Sequence, residues 1–340
     1  MTKHKKIKMN MRKSTLDSLM LAFLSSHAPT RMSVSEKCGV SKVTSGKAAK
    51  ALVESRIMCE KVFSLNKESP CSHLFIDDEL LVMIIDLSSP TFKMTLFDAN
   101  AVSKFNSFHN YDDSMSFDEN INIFLSRCGL KAKKSGFSFS AISVIYSDTS
   151  KHDLKINAQR RARLPSIEDC AIISDAIYSV FHKRSISHLT VSQAICEAVK
   201  FGEVEGVSGN EGVSYIRIGS NTSSFHIHAN GSITVCSPQG ILSDEEKYLL
   251  QNKHLITKEN TDTILAHISK FMSCAFSPLI IILESEYHLP DESTARMLTR
   301  ELTLAGVMQP IIRFKQNDTL FILGAVRHSV YALASKCLIP

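Results

Sequence analysis

From Leu80 onward the chain alternates between short β-rich apolar runs and longer stretches of helical periodicity, and this alternation constrains the fold more than any other feature. The runs LLVMIIDL, TFKMTLFD and AISVIYSD read as early strands, and YIRIG, SSFHIHA, SITVCS, PLIIILE and TLFILGA as late ones. Helical stretches fall between them at 116–127, 166–181, 191–201 and 262–272. Interleaving of that kind implies an α/β body with mixed sheets. No apolar stretch reaches the ~18 residues of a membrane span, and no repeat period of about 20–50 residues is visible.

The first 67 residues have a different texture. Leu16, Leu19, Met20, Phe23 and Leu24 recur at helical spacing on one stripe, and Ala28-Pro29 ends that helix. A short helical stretch, Val34–Cys38, leads into Gly39-Val40-Ser41, a turn closing on a good N-cap. A second long helix is predicted from about Lys42 to Ser55, with Ala48 and Leu52 facing inward, and Ile57–Leu65 as a short hairpin. Helices around a tight Gly-containing turn, followed by strands, form a winged helix-turn-helix pattern. Residues 68–78, polar and containing Pro70, read as a linker.

Charge follows the same division. The formal net charge is only +5, yet residues 1–67 hold 14 basic against 4 acidic side chains, while the rest holds 25 against 30. A basic head on a mildly acidic body fits a polyanion-binding module joined to something else. Lys3, Lys5, Lys6, Lys8, Arg12 and Lys13 form a basic tail, but the bias persists without them. Nine cysteines are scattered with no C-x-x-C pair, which argues for reduced thiols in a cytoplasmic protein and against a zinc knuckle. The apolar patch Leu19–Leu24 is too short for the ~7–15-residue core of a secretion signal.

The stretch SVSEKCGVSKVTSGKAAKALVESRIM resembles the helix-turn-helix of repressors in the ROK family (repressor, open reading frame, kinase). It departs at Ser45, where an apolar residue is usual, and at Gly46 inside the helix, which costs about 1 kcal/mol relative to Ala. The body is similar to the ROK sugar-kinase domain. The resemblance therefore implies an α/β chain with an N-terminal winged helix-turn-helix (1–67) and a two-lobed actin/hexokinase-like, ribonuclease H-like domain (79–340). Lobe one would span about 79–185 plus a C-terminal helix at about 324–337, and lobe two about 186–323.

Each kinase landmark has lost its chemistry. The first phosphate loop, D-I-G-G-T in the kinases, is Asp86-Leu87-Ser88-Ser89-Pro90, with both glycines gone and no N–H at Pro90. By the resemblance, Val191-Ser192-Gln193-Ala194 stands where the catalytic Asp segment belongs, with Gln193 at the general-base position. The second phosphate loop is Gly219-Ser220-Asn221-Thr222-Ser223-Ser224, retaining only its first glycine. The adenosine loop is Ile280–Glu286, where Glu284 and Glu286 would repel phosphates. The sugar-binding E-x-G-H and the Cys-rich zinc loop have no counterpart.

Other constellations are weaker. His226 and His228 share a strand face but lack a further metal ligand. Asp112-Asp113 and Glu245-Glu246 read as solvated charges, and Arg160, Arg161, Arg163, Lys183 and Arg184 as a basic surface that is solvated or binds anions. The expectation is a cytoplasmic, homodimeric transcriptional regulator of double-stranded DNA, without catalytic residues, metal or cofactor, whose body leaves room for an unidentified small-molecule effector. Ser41, Lys42, Thr44 and Lys47 would meet DNA from the recognition helix and Lys61 from the wing. The alternatives are an active sugar kinase with divergent loops, and a ligand-sensing or protein-interaction module without DNA binding.

Overall fold

The computed structural model describes residues 7–9, 11–25, 29–63, 71–112, 114–148, 165–183, 185–204, 212–219, 222–236, 240–308, 310–315 and 319–339. The chain opens with β1 (Ile7–Lys8) and the helices α1 (Lys13–Ser25), α2 (Arg31–Cys38) and α3 (Lys42–Glu54). Local chemistry sets their ends. Thr30 accepts from the Ser33 amide at the start of α2, and Gly39 leaves it in the left-handed region at φ 62°. Ser41 accepts from the Thr44 amide at the start of α3.

At the end of α3 a glycine is missing where the backbone asks for one. Arg56 sits at φ 54°, while its amide and that of Ile57 close back onto the carbonyls of Val53 and Leu52 at 2.9 and 3.0 Å. A left-handed residue with a Cβ costs roughly 1–2 kcal/mol. Arg56→Gly is therefore expected to raise stability by about 0.5–1 kcal/mol, read as a higher urea midpoint at unchanged slope. A lower midpoint would contradict this account of the turn.

The wing departs from the sequence prediction. β2 (Met58–Phe63) pairs antiparallel with β3 (Cys71–Ile76), from Met58↔Ile76 to Phe63↔Cys71, so the expected linker 68–78 contributes a strand. Ile57–Leu65 contains no Gly, Pro, Asn or Asp to turn the chain, and the strand that pairs with β2 comes from beyond Pro70. Leu74 is the buried anchor of β3, and its amide donates to the Pro29 carbonyl at 2.9 Å.

The body continues as β4 (Val82–Asp86), β5 (Thr91–Phe97), β6 (Ser103–Asn110), α4 (Phe117–Ser135), β7 (Ala141–Tyr146), α5 (Cys170–Phe181), β8 (Ile186–Thr190) and α6 (Val191–Lys200). Its second half holds β9 (Val213–Ile218), β10 (Ser223–Ile227), β11 (Ile233–Cys236), α7 (Asp244–Gln251), α8 (Lys258–Phe276), β12 (Ile280–Ser285), α9 (Glu292–Leu304), β13 (Ile311–Lys315), α10 (Thr319–Cys337) and β14 (Leu338–Ile339). The first sheet runs β6-β5-β4-β7-β8 and the second β11-β10-β9-β12-β13. Each has an antiparallel meander on one side of its central strand and parallel strands on the other.

Two boundaries move. β8 pairs with β7 (Ile142↔Ile186), so the first sheet extends to residue 190 rather than ending at 185; its residues are mostly half-buried, and no apolar run marks it. TLFILGA, predicted as a strand, opens α10, while the edge strand falls on Ile311–Lys315. An apolar run of that length does not distinguish a strand from a helix buried on several sides.

α10 is such a helix. β4 sends Val82 and Ile84 into the core that α10 and α6 share, and Met83 and Ile85 into the core under α4 and α5. The core around α10 also includes Leu16, Leu19, Phe23 and Leu52, so head and body are one packed unit rather than tethered bodies. The Tyr331 hydroxyl donates to Asp17 of α1 at 2.9 Å, and β1 pairs parallel with β14. Gly324 lets α10 touch the backbone of α6: a Cβ there would overlap the Ala194 carbonyl and lie 2.9 Å from the Ala198 nitrogen.

Candidate nucleic-acid interface and cleft

The head presents α3 with one face buried and one bare. Ser45, Ala48, Ala49, Ala51 and Leu52 are buried. Ser45 meets the cost of burial by donating to the Arg31 carbonyl at 2.7 Å, which explains a serine at an apolar position. Lys42, Val43, Lys47 and Lys50 are exposed. Lys50 lies 3.8 Å from Glu54, a loose helical pair.

The predicted site residues divide by role. Lys42 and Lys47 stand on the bare face of α3. Ser41 and Thr44 are tied to each other, with hydroxyls 2.9 Å apart and the Ser41 oxygen accepting from the Thr44 amide at 3.1 Å. Their first task is thus to start the helix. Lys61 lies on the wing, 3.4 Å from Asp78 and 5.1 Å above the Phe75 ring. Arg31 braces the wing through Glu60 at 2.7 Å, and Phe63 packs against His73 and Phe75. Lys8, Arg12 and Lys13 are exposed; Lys3, Lys5 and Lys6 lie outside the described residues, as do Arg160, Arg161, Arg163, Arg184 and Asp113. Lys183 covers the Phe139 ring at 5.2 Å.

In the body, side chains of the protein itself engage the segments that the resemblance sets against the kinase landmarks. Asp86 is buried at the end of β4, and one of its oxygens accepts from the Ser88 amide and hydroxyl at 2.9 and 2.6 Å. Gln193 forms a capping box with Thr190, accepting from its amide at 2.9 Å. The space that Gly219 leaves is filled by the Glu286 carboxyl group. Ser220 and Asn221 lie outside the described residues.

Glu284 and Glu286, which the sequence reading sets against phosphate, both face an arginine. Arg217, itself buried, pairs with Glu286 and stands 3.6 Å from Glu284, which also accepts from the Tyr215 hydroxyl. The arginine stands between the two carboxylates within the lobe.

One partly buried carboxylate is invisible in the sequence. Asp148, just past β7, accepts from the Ser192 amide at 2.9 Å and its hydroxyl at 2.5 Å, at the start of α6. Burial raises its carboxyl above the ordinary range. It ties the first sheet to α6 across 44 positions, and no motif marks it.

Of the two histidines, His226 packs as core and His228 is half-buried. His226 stacks on Phe276 at 4.8 Å and shares a 3.0 Å hydrogen bond with Ser214, while burial, with help from His228, pushes it down to about 4. His228 bonds to Thr234 at 2.8 Å. Among the described residues no three His, Cys, Asp or Glu side chains gather as a metal site, and no helix is long and apolar enough to cross a membrane.

No family model matches the chain, and no curated protein matches its sequence. Its fold does have solved counterparts. A ROK family transcriptional regulator, described as a homolog of the E. coli MLC protein, superposes with TM-score 0.60 over 94% of this chain and 97% of its own, at 9% identity. The inorganic polyphosphate/ATP-glucomannokinase of Arthrobacter sp. strain KM reaches 0.50 over 74% and 98%, at 14% identity. The glucokinase of Balamuthia mandrillaris, solved with glucose, reaches 0.50 over 73% and 92%, at 8% identity. The structural neighbours thus include a ROK regulator and sugar kinases, and at such identities the likeness is one of fold.

Proposed function

We propose that this chain is a transcriptional regulator of ROK type, in which a winged helix-turn-helix head binds double-stranded DNA and a kinase-like body pairs two copies so that two heads meet a two-fold site. The observation that carries the reading is the bare face of α3: Lys42, Val43 and Lys47 are exposed and take no part in the head's own core. A helix that packs on one side and offers lysines from its first turns on the other suits a major groove flanked by phosphates. The regulator fold, matched over 94% of the chain, supports it, against about three quarters for the kinases.

The same reading holds that the body has lost phosphoryl transfer. Asp86 serves its own turn, Gln193 caps a helix, and Glu286 fills the space at Gly219. Phosphoryl transfer depends on backbone donors and electrostatic stabilisation around the phosphates. Millimolar ATP with magnesium is accordingly expected to leave the melting temperature unchanged, because only a ligand bound to the folded state raises it, by about 2.7 kcal/mol of stability at 100 times Kd. A clear rise, or turnover of a hexose, would favour the kinase alternative. Chromatin immunoprecipitation with sequencing tests the regulator reading directly: enriched sites with two-fold symmetry are expected, and none would overturn it.

A further inference from the structure

Two residues on the bare face of α3 are ones that stability alone would replace. Val43 is a β-branched side chain, 67% exposed, at the second position of the helix. Gly46 lies one turn further along the same face, where a Cβ would meet nothing within 4 Å. The backbone there is ordinary helix with no positive φ. Nothing in the fold requires a glycine, yet it gives up the roughly threefold to fivefold gain in folding equilibrium that alanine brings to a helix interior. Val43, Gly46, Lys47 and Lys50 succeed one another at the spacing of a single helical face.

The pattern is a small apolar surface beside bare backbone, with ammonium groups along the same face. Resting on the DNA-binding reading above, we propose that Val43 and Gly46 form a thymine-reading surface: the backbone at Gly46 is where the helix sits deepest in the major groove, and the Val43 methyls pack on the C5-methyl of one thymine per half-site. Thymine is the base that offers a methyl group in that groove, and apolar contact is how it is read. Lys47 stands on the face to hold an adjacent phosphate; Lys50, already beside Glu54, does so less. Ser41 and Thr44, tied to each other at the cap, leave base contact to the valine.

The test uses the full chain and the sites it enriches, with each thymine of a half-site replaced in turn by deoxyuridine, which removes only the methyl. Wild type is expected to lose about fourfold in affinity at one position, the worth of a buried methyl, and Val43→Ala to lose almost nothing there. Gly46→Ala is expected to melt about 1–3 °C higher while binding every site on the order of tenfold more weakly. Uridine indifference at every position, an undiminished uridine effect in Val43→Ala, or wild-type affinity in Gly46→Ala overturns the proposal while DNA binding stands. If the chain enriches no DNA, the regulator reading falls and this proposal falls with it.

Discussion

Replacing Gly324 with leucine should leave little folded protein, and even Gly324→Ala should cost about 3 kcal/mol. Alanine is the better helix former by about 1 kcal/mol, so propensity points the other way. The added methyl, however, meets the Ala194 carbonyl and the Ala198 nitrogen, which are backbone atoms of α6 and cannot rotate aside. The helices would have to part. Their separation would loosen the core shared by Ile195, Val199, Phe321 and Ala325, and with it the pairing of Arg327 with Glu203. Urea unfolding of Gly324→Ala, beside expression of Gly324→Leu in soluble form, reads both effects. Wild-type stability in the alanine variant would mean that α10 and α6 do not lie this close. Gly46 and Gly324 are both glycines inside helices, yet alanine is expected to act with opposite sign, because one faces open space and the other a backbone.

The second large effect concerns binding. Lys42→Ala with Lys47→Ala should weaken DNA binding at least tenfold near 100 mM salt and flatten the slope of log affinity against log salt by about 1.8 per head, two phosphate contacts at ~0.9 each. Both side chains are exposed and belong to no core, so melting should stay within about 0.5 kcal/mol of wild type. That combination separates a lost contact from a damaged head. Titration by gel shift at several salt concentrations measures it, and an unchanged slope would remove α3 from the interface.

Of the head's three helices, α1 is legible because its apolar residues repeat at 3.6, and α2 and α3 because of the turn between them: Ser41 and Gly39 stand where the sequence places it. The wing's second strand is not. Its single fully buried side chain, Leu74, sits between half-buried His73 and Phe75 without a clean alternation, and Pro70 signals a break while giving no sign of the strand beyond it. In the body, strands buried on both faces, such as β4 and β7, announce themselves, while β8 does not, since its burial is partial. The absence of glycines from the loops set against the kinase phosphate sites is readable in the sequence, but the contacts made there instead are not. Arg217 standing between Glu284 and Glu286, or Asp148 holding Ser192, depends on residues that meet only in space. Val43 gives no signal in the sequence, because an exposed valine is unremarkable until the face around it is known. Nor does any sequence pattern indicate that the head shares its core with the last helix.

That last helix has a consequence for how the molecule is made. α10 fills the space between α1, α6 and the first sheet, so three apolar surfaces wait for residues synthesised about 300 positions after α1. At about 5–20 residues per second, α1 emerges roughly 15–60 s before its partner exists. During that interval the nascent chain carries its three N-terminal helices without their seat, and chaperone occupancy should peak there and fall once α10 emerges.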